Sequence, residues 1–155
     1  MNENQYVVFA LNEQIYGIEI NKIKEVLSYR NITPIPHEKE FVKGIINLRG
    51  IILPVFDLRE KFRLPSVEYT MFHVIIVVEL SGRIMGVIVD EITDVLKIHS
   101  EDFQTTEYLP PGLRKEFLKG VGKKGDDMMI ILLDMDRLLS PEELELMDDA
   151  EDTAA

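Results

Sequence analysis

Short apolar runs separated by polar turns recur along most of the chain. The runs QYVVFAL, QIYGIEI, HVIIVVEL and RIMGVIV are rich in branched and aromatic residues, and turns as short as NE and SG separate neighbouring runs. Branched and aromatic residues favour strands, and two such runs joined by a two-residue turn are typical of a hairpin. The pattern therefore predicts a mainly β protein built from hairpins.

Two places in the sequence predict short helices. Asp57 and the residues LREKF after it match the capping pattern at the start of a helix. Ser140, followed by proline, is a stronger start signal, so we expect a terminal helix over 141–149 with Leu144 and Met147 facing the body. Both helices are expected to add to the β structure without replacing it.

Two apolar segments allow more than one interpretation. INKIKEVLS has apolar residues at helical spacing, but ITDVLKI, which it matches further along the chain, alternates as a strand does. We therefore predict strands for both. Pro54 interrupts the run IILPVF, and because proline cannot donate to a ladder, this strand is expected at a sheet edge or at a bulge.

The chain contains an internal repeat. YGIEINKIKEVL at 16–27 matches MGVIVDEITDVL at 85–96, and FVKGI at 41–45 matches FLKGV at 117–121 in the same order. Two matches in one order indicate a duplicated unit of about 70 residues. A unit of that size is marginally stable by itself, so the two copies should share buried surface.

The length and the repeat together predict the domain organisation. We expect one domain over 1–155, with a first subdomain at roughly 13–70 and a second at roughly 71–139. The N-terminal strand and the helix over 141–149 should pack on this body. Residues 150–155 are expected to form a frayed acidic tail.

Charge and composition narrow the class of partner. The net charge is −11, and seven acidic residues with no basic one lie between Ser140 and Ala155. Nucleic-acid binding needs a basic face, so it is disfavoured. Cysteine is absent, and the longest apolar runs are far shorter than the roughly 18 residues of a membrane span. These features predict a cytoplasmic protein without disulfides.

The string GVGKKG formally contains the glycine pattern of dinucleotide sites, at Gly120, Gly122 and Gly125. That pattern has meaning only between a strand and a helix, and here an apolar run opened by two aspartates follows it. We interpret the glycines as hairpin-turn residues and predict no catalytic set, metal site or cofactor. A small β-barrel enzyme or nucleotide-binding protein using the Gly120–Gly125 loop remains the alternative.

The turn NLRG, between two almost wholly apolar runs, is the most informative local feature. Its counterpart in the second repeat is GKKG, and turn formation requires only the glycine. Asn47 and Arg49 either bond to local backbone groups or present a rigidly held arginine to a partner, since arginine is enriched at interface hot spots.

The segment FVKGIINLRGIILPVFDL, which contains this turn, resembles the signature of CheW-type chemotaxis coupling proteins. The similarity continues through YVVFALNEQIYGIEI, VIVDEITDVL and PEELELMD. The resemblance implies two SH3-like five-stranded barrels on a shared core, in a non-catalytic adapter. Such an adapter would be cytoplasmic, be recruited to membrane-associated receptor arrays, and join the cytoplasmic tip of methyl-accepting chemoreceptors to the regulatory domain of the chemotaxis histidine kinase.

The same resemblance implies positions for the two contacts. Receptor-binding residues would be Ile23, Gly44, Asn47, Arg49, Gly50 and Val95. Kinase-binding residues would be Glu25, Ile92 and Gly120. Ile23, Gly44 and Arg49 are expected to line a groove between the barrels.

Overall fold

The computed structural model describes residues 3–36, 39–108 and 115–154, which form eleven strands and two α-helices. The strands are β1 Glu3–Leu11, β2 Gln14–Glu19, β3 Ile23–Ser28, β4 Val42–Leu48, β5 Ile51–Asp57, β6 Val74–Leu80, β7 Arg83–Val89, β8 Glu91–His99, β9 Phe103–Gln104, β10 Leu118–Lys124 and β11 Met128–Leu133. The helices are α1 Leu58–Lys61 and α2 Pro141–Ala154.

The strands form two sheets with matching orders. One sheet has the order β3-β6-β7-β5-β4, and the other has the order β8-β1-β2-β11-β10-β9. Among the described strands, each sheet contains a single parallel pair, β5 with β7 in the first and β11 with β2 in the second. The predicted fold, mainly β with two pseudo-repeated SH3-like subdomains, is confirmed, and the two-residue strand β9 extends one sheet beyond the expected five strands.

The two repeats exchange their first hairpins. Val8 pairs with Gly17 in the β1–β2 hairpin, and Val77 pairs with the equivalent Gly86 in the β6–β7 hairpin. The β6–β7 hairpin, from the second repeat, completes the sheet of β3, β4 and β5, whereas β1–β2 completes the sheet of β8, β10 and β11. Each sheet is therefore assembled from both copies of the duplicated unit.

Because of this exchange, the strands of each sheet do not all fall within one of the two predicted subdomains. A division of the chain at residue 70 separates β6 and β7 from the strands with which they pair. It also places β2 with β3, although these strands lie in different sheets. The sequence repeat identifies equivalent positions, but it carries no information on which copy of a strand pairs with which, so the bounds 13–70 and 71–139 do not follow the sheets.

Several local predictions are confirmed. Both ambiguous segments contain strands, β3 and β8, although a 3-10 turn at Ile20–Lys22 precedes β3. The Asp57 carboxylate caps α1 by accepting from the backbone N–H groups of Arg59 at 2.8 Å and Glu60 at 3.4 Å. Asp134, the equivalent residue, accepts from the Asp136 N–H at 3.1 Å.

Three expectations are wrong in detail. Gly120 and Gly122 lie inside β10, and only Gly125 lies in the turn. β5 is an interior strand, but its pairing with β7 starts at Val55, so at Pro54 it has a neighbour on one side only. The tail predicted to fray continues α2 as far as Ala154, because no glycine or proline stops the helix.

Three clusters of buried side chains hold the sheets together. The largest lies between them and includes Phe9 and Ile18 from one sheet and Phe56 and Met85 from the other, all with 0% exposure. Each sheet also has a smaller core of its own. These are built around Leu27, Ile46, Leu53, Val55, Ile75 and Ile88 in the first sheet and Tyr6, Val8, Ile98, Ile130 and Leu132 in the second.

Helix α2 covers one side of the shared core. Met147 is fully buried and Leu144 packs against the same cluster, as predicted. Lys61 of α1 donates to both carboxylate oxygens of Glu143 at 2.8 and 2.7 Å. Its ammonium also lies 5.1 Å and 5.0 Å from the ring centroids of the equivalent residues Phe41 and Phe117. Within the described part of the chain, α2 and α1 both lack the length and apolar character that crossing a membrane requires.

Equivalent glycines sit at equivalent bulges in the two sheets. The register shifts between Val42 and Gly44 in β4, and between Leu118 and Gly120 in β10. A Cβ on Gly44, whose φ is +143°, would lie 1.9 Å from the carbonyl oxygen of Thr33, which belongs to a segment that bridges to β4. A Cβ on Gly120 would lie 2.4 Å from the Gln104 oxygen. Both glycines allow another backbone segment to approach closely.

We predict that Glu143→Gln destabilises the protein by about 2 kcal/mol, because Lys61 loses its charged partner in a mostly buried position. Glutamine keeps an oxygen to accept the Ser140 N–H, which Glu143 accepts at 2.8 Å, so the variant isolates the charge. Glu142→Gln, an exposed neighbour, should change the free energy of unfolding by less than about 0.5 kcal/mol.

The pH dependence of the difference in unfolding free energy between wild type and Glu143→Gln tests the same ion pair. Burial would raise the pKa of Glu143, but hydrogen bonds from Lys61 and Ser140 outweigh it, so the pKa lies below its ordinary value. The stabilisation is therefore fully present above about pH 4.3 and is lost as the pH falls through the depressed pKa. Urea titrations should show wild type and Glu143→Gln converging in acid; a gap that persists there would contradict the role of the ion pair.

We predict that Gly44→Ala costs at least about 3 kcal/mol, because the methyl group collides with the Thr33 backbone at a positive φ. Gly82 also has a positive φ, +79°, but no atom lies within 4 Å of the position that a Cβ would take there. Gly82→Ala should therefore cost only about 1 kcal/mol. Equal losses for the two variants in denaturant titrations would show that backbone conformation, and not the close approach, requires glycine at position 44.

Candidate protein-binding site

The NLRG turn is a tight hairpin connection between β4 and β5. Arg49 and Gly50 have φ values of 53° and 88°, as the two central residues of a type I′ turn require. The Asn47 side-chain oxygen accepts the Gly50 N–H at 2.8 Å. Asn47 and Gly50 therefore fix the turn, which confirms local bonding for Asn47.

Arg49 makes a different contact from the local backbone bonding considered above. Its Nη1 donates to Oε1 of Glu25 at 3.1 Å, and its Nη2 donates to Oε2 at 2.6 Å. The Arg49 side chain is nevertheless 70% exposed, against 32% for Glu25. The hairpin tip is thus joined to β3 by a two-point ion pair that faces solvent.

The electrostatics of this pair are simple because few other groups act on it. The hydrogen bond from Arg49 holds the pKa of Glu25 below its ordinary value, and the same bond raises the pKa of Arg49. Ion pairs between exposed groups contribute little to stability, and water or another charged group can replace either partner. The pair is accordingly a surface feature and not a structural requirement.

An exposed apolar side chain follows the turn directly in the chain. Ile51, which follows Gly50 at the start of β5, is 63% exposed. We call Glu25, Asn47, Arg49, Gly50 and Ile51 the Arg49 surface. It combines a bidentate cation with an apolar side chain on a fixed turn, a combination typical of protein-binding surfaces.

Ile23 and Ile92 occupy the same place in the two repeats. Ile23 pairs with Val78 beside a register shift in β3, and Ile92 pairs with Phe9 beside the matching shift in β8. Both isoleucines are partly buried against the shared core. Ile23, a predicted receptor contact, and Ile92, a predicted kinase contact, are therefore equivalent positions. The same holds for Gly44, predicted for the receptor, and Gly120, predicted for the kinase.

The remaining predicted contacts are divided between the sheets. Val95 lies on the edge strand β8 and is 49% exposed, and its equivalent Val26 on the edge strand β3 is 43% exposed. Gly44 and Gly120 are buried, so they can influence a partner only through the backbone that they permit. The structure brings together Arg49, which the family resemblance assigned to the receptor, and Glu25, which it assigned to the kinase.

Sequence reasoning missed a second exposed apolar feature. Met71 and Phe72 are 85% and 62% exposed in the loop between α1 and β6. Tyr69 holds this loop in place by donating its hydroxyl to Asp57 at 2.5 Å and by stacking on Tyr29 with the ring centroids 4.4 Å apart. The adjacent Met71 and Phe72, in a loop that also carries Ser66, Glu68 and Thr70, were the available signal.

The GVGKKG segment does not form a phosphate site. It leads into strand β11 and not into a helix, so the helix N-terminus that a dinucleotide site uses is missing from this described segment. A Cβ on Gly122 would lie 2.6 Å from Cδ1 of Ile98, which shows that packing requires this glycine. The nucleotide-binding alternative is unsupported. Across residues 3–36, 39–108 and 115–154, no three His, Cys, Asp or Glu side chains are grouped to hold a metal ion.

A cleft of about 280 Å³ beside β2 and β11 is lined by both acidic and basic groups. Lys22 pairs with Asp136 at 3.0 Å, and Lys119 donates to Glu19 and to the Tyr6 hydroxyl. Both lysines of this cleft are therefore already bound to neighbouring carboxylates or to a hydroxyl. The cleft therefore does not compete with the Arg49 surface as a candidate site.

Comparisons with known proteins agree with the duplicated fold and the signature turn. The family model described as "CheW-like domain" matches residues 5–143. A chemotaxis protein CheW from Klebsiella aerogenes is 38% identical over 144 residues, covering 93% of this chain and 86% of the relative. One from Treponema pallidum is 35% identical over 153 residues, covering 94% of this chain and 88% of the relative.

A solved structure shows the same fold. The crystal structure of the scaffolding protein TtCheW from Thermoanaerobacter tengcongensis matches with a TM-score of 0.81 and 36% sequence identity, covering 92% of this chain and 97% of that one. Sequence and structural similarity both extend over nearly the whole chain. The chain therefore belongs to the CheW-like family.

Proposed function

We propose that this protein is a non-catalytic adapter that joins the cytoplasmic tips of chemoreceptors to the regulatory domain of the chemotaxis histidine kinase. A role as a coupling adapter in chemotaxis follows from the family. The two partners, the contact residues and the recruitment to membrane-associated receptor arrays form the proposal. The observation that carries it is the exposed, bidentate arginine on a fixed turn.

The Arg49 surface suits a helical partner that carries carboxylates. Arginine binds a carboxylate through two parallel hydrogen bonds, and these fix orientation as well as adding affinity. Arg49 already makes this arrangement with Glu25, so its geometry is competent. An exposed isoleucine beside it supplies the apolar anchor that helix recognition uses. We assign Asn47, Arg49 and Gly50, together with Ile23, Gly44 and Val95, to the receptor, and Glu25 to the kinase.

The second repeat supplies an equivalent position for the kinase. Ile92 and Gly120 stand where Ile23 and Gly44 stand in the first repeat, but on the other sheet. Two equivalent positions on different sheets allow two proteins to bind at the same time. Because an SH3-like body is shared by this protein and, by the resemblance, the kinase domain, alternating end-to-end contacts can close into a ring.

The contacts of the buried charged groups are consistent with a non-catalytic adapter. Arg59 donates to both carboxylate oxygens of Asp90 at 2.8 and 3.0 Å and to the Pro65 carbonyl. Asp57 caps α1 and accepts from Tyr69. These groups fix the loop after α1 and do not line the cleft beside β2 and β11, which fits a structural role.

We predict that Arg49→Glu weakens binding to a receptor cytoplasmic fragment at least about tenfold, because a hot-spot cation becomes an anion beside Glu25. The free energy of unfolding should change by less than about 1 kcal/mol, as for a surface substitution. Titration calorimetry with the fragment and denaturant titrations measure the two quantities. Arg63→Glu reverses the charge of another exposed arginine and should leave binding unchanged.

Kinase autophosphorylation gives the functional measurement. The wild type should form a ternary complex with the receptor fragment and the kinase and change the rate of autophosphorylation, whereas Arg49→Glu should bind the kinase without that change. A wild-type protein that forms no ternary complex would refute the adapter function. An Arg49→Glu variant that unfolds would instead assign Arg49 to the fold.

A further inference from the structure

The chain passes from one sheet to the other at two equivalent junctions, and an ion pair lies at each. The 3-10 turn Ile20–Lys22 joins β2 to β3, and Asp90 joins β7 to β8. Lys22 pairs with Asp136, and Asp90 pairs with Arg59. Arg59 and Asp136 each stand two residues after the equivalent capping aspartate of their own repeat. Each junction is therefore tied to the other repeat.

The two ion pairs differ in burial. The side chains of Arg59 and Asp90 are 11% and 21% exposed, and Asp90 also accepts the Asn12 N–H at 3.2 Å. The side chains of Lys22 and Asp136 are 32% and 48% exposed. Mostly buried groups thus fix the junction before β8, whereas a surface pair holds the junction before β3.

Asp136 links three segments that are distant in the chain. Its Oδ2 accepts from Nζ of Lys22 at 3.0 Å, and its Oδ1 accepts the N–H of Ser81, in the β6–β7 turn, at 3.0 Å. The backbone bond from Ser81 and the bond from Lys22 hold the pKa of Asp136 below its ordinary value, and the bond to Asp136 raises the pKa of Lys22. The pair therefore stays charged at neutral pH and bridges the turn of one exchanged hairpin to the start of β3.

Ile23 follows this junction directly. Its N–H donates to the Ile20 carbonyl and closes the 3-10 turn, and a register shift separates it from Glu25 in the β3–β6 ladder. The isoleucine packs against the core that the two sheets share. The position of Ile23 therefore depends on the turn before it, and Lys22 bonds that turn to the second repeat.

We propose that Lys22 and Asp136 are positioning residues for the receptor contact Ile23: their ion pair sets where Ile23 stands relative to the second repeat, and Lys22 does not itself touch the receptor. This inference rests on the proposed function, because it names what holds one of the residues assigned to the receptor. Exposed ion pairs add little to stability, so the pair can be removed without unfolding the protein. A shifted turn would misplace an apolar anchor for a helical partner, and affinity depends on such anchors.

Asp136→Asn removes the charge that Lys22 binds and keeps an oxygen for the Ser81 N–H. We expect a receptor cytoplasmic fragment to bind about two- to fivefold more weakly, the kinase regulatory domain to bind unchanged, and Tm to shift by less than about 4 °C. Titration calorimetry and thermal unfolding measure these quantities. Asp148→Asn breaks an ion pair of similar exposure, with Arg83 at 2.9 Å, and should leave receptor binding unchanged.

Lys22→Gln and the double variant distinguish positioning from direct contact. Lys22→Gln should weaken receptor binding as much as Asp136→Asn does, and the double variant should bind like either single variant, because all three lack the same bond. If Lys22 instead contacts the receptor, Asp136→Asn would bind unchanged or tighter while Lys22→Gln binds more weakly. That result, or additive losses in the double variant, would overturn the proposal.

The methyl resonance of Ile23 tests the positioning without any partner. In Asp136→Asn and Lys22→Gln the Cδ1 resonance of Ile23 should shift, whereas that of Ile92, the equivalent residue beside the other junction, should not. An Ile23 resonance that stays in place in both variants would refute the positioning and leave the adapter function standing. A wild-type protein that does not bind the receptor fragment would refute the proposed function, and with it the receptor role of Ile23, even where the resonance shifts.

Discussion

The packing of each sheet depends on a hairpin that comes from the other half of the chain. The β1–β2 hairpin lies between β8 and β11, and the β6–β7 hairpin lies between β3 and β5. The approach is close: a Cβ on Gly17 would lie 3.0 Å from Leu132 of β11, and one on Gly86 would lie 3.2 Å from Val55 of β5. Neither repeat can complete a sheet by itself, so the two halves fold as one unit with a shared core.

This constraint explains how a small body can present two surfaces in a fixed relationship. The Arg49 surface lies on one sheet and the equivalent place in the second repeat lies on the other, and the fully buried cluster around Phe9 and Phe56 fixes one sheet on the other. Close-packed cores transmit displacement and do not absorb it. An adapter that holds two proteins in register requires such rigidity.

Patterns local in sequence predicted much of this structure. The hairpins, the capping residues Asp57 and Ser140, and the burial of Met147 follow from alternation and helix-start chemistry over a few residues. The turn at Arg49 was found because its glycine and its counterpart in the repeat stand out in the sequence. Family resemblance then added the two SH3-like barrels to the mainly β class that the hairpin pattern had predicted, and the sheets confirm this fold.

The features that the sequence did not predict depend on contacts between segments that are distant in the chain. In a duplicated sequence, each hairpin could pair with the strands of either repeat, so the sequence does not show which pairing forms. Gly120 was interpreted as a turn residue because the chain that crosses it, at Gln104, cannot be located from spacing. The pairing of Arg49 with Glu25 joins a residue of the hairpin turn to a residue of β3 that lies 24 positions away, and no periodicity in the sequence indicates such a contact. Native-state hydrogen exchange tests the central claim most directly: amides of both exchanged hairpins should open with one free energy, within about 1 kcal/mol of global unfolding. Opening of either hairpin at a cost several kcal/mol lower, while the other stays protected, would contradict a single interlocked unit.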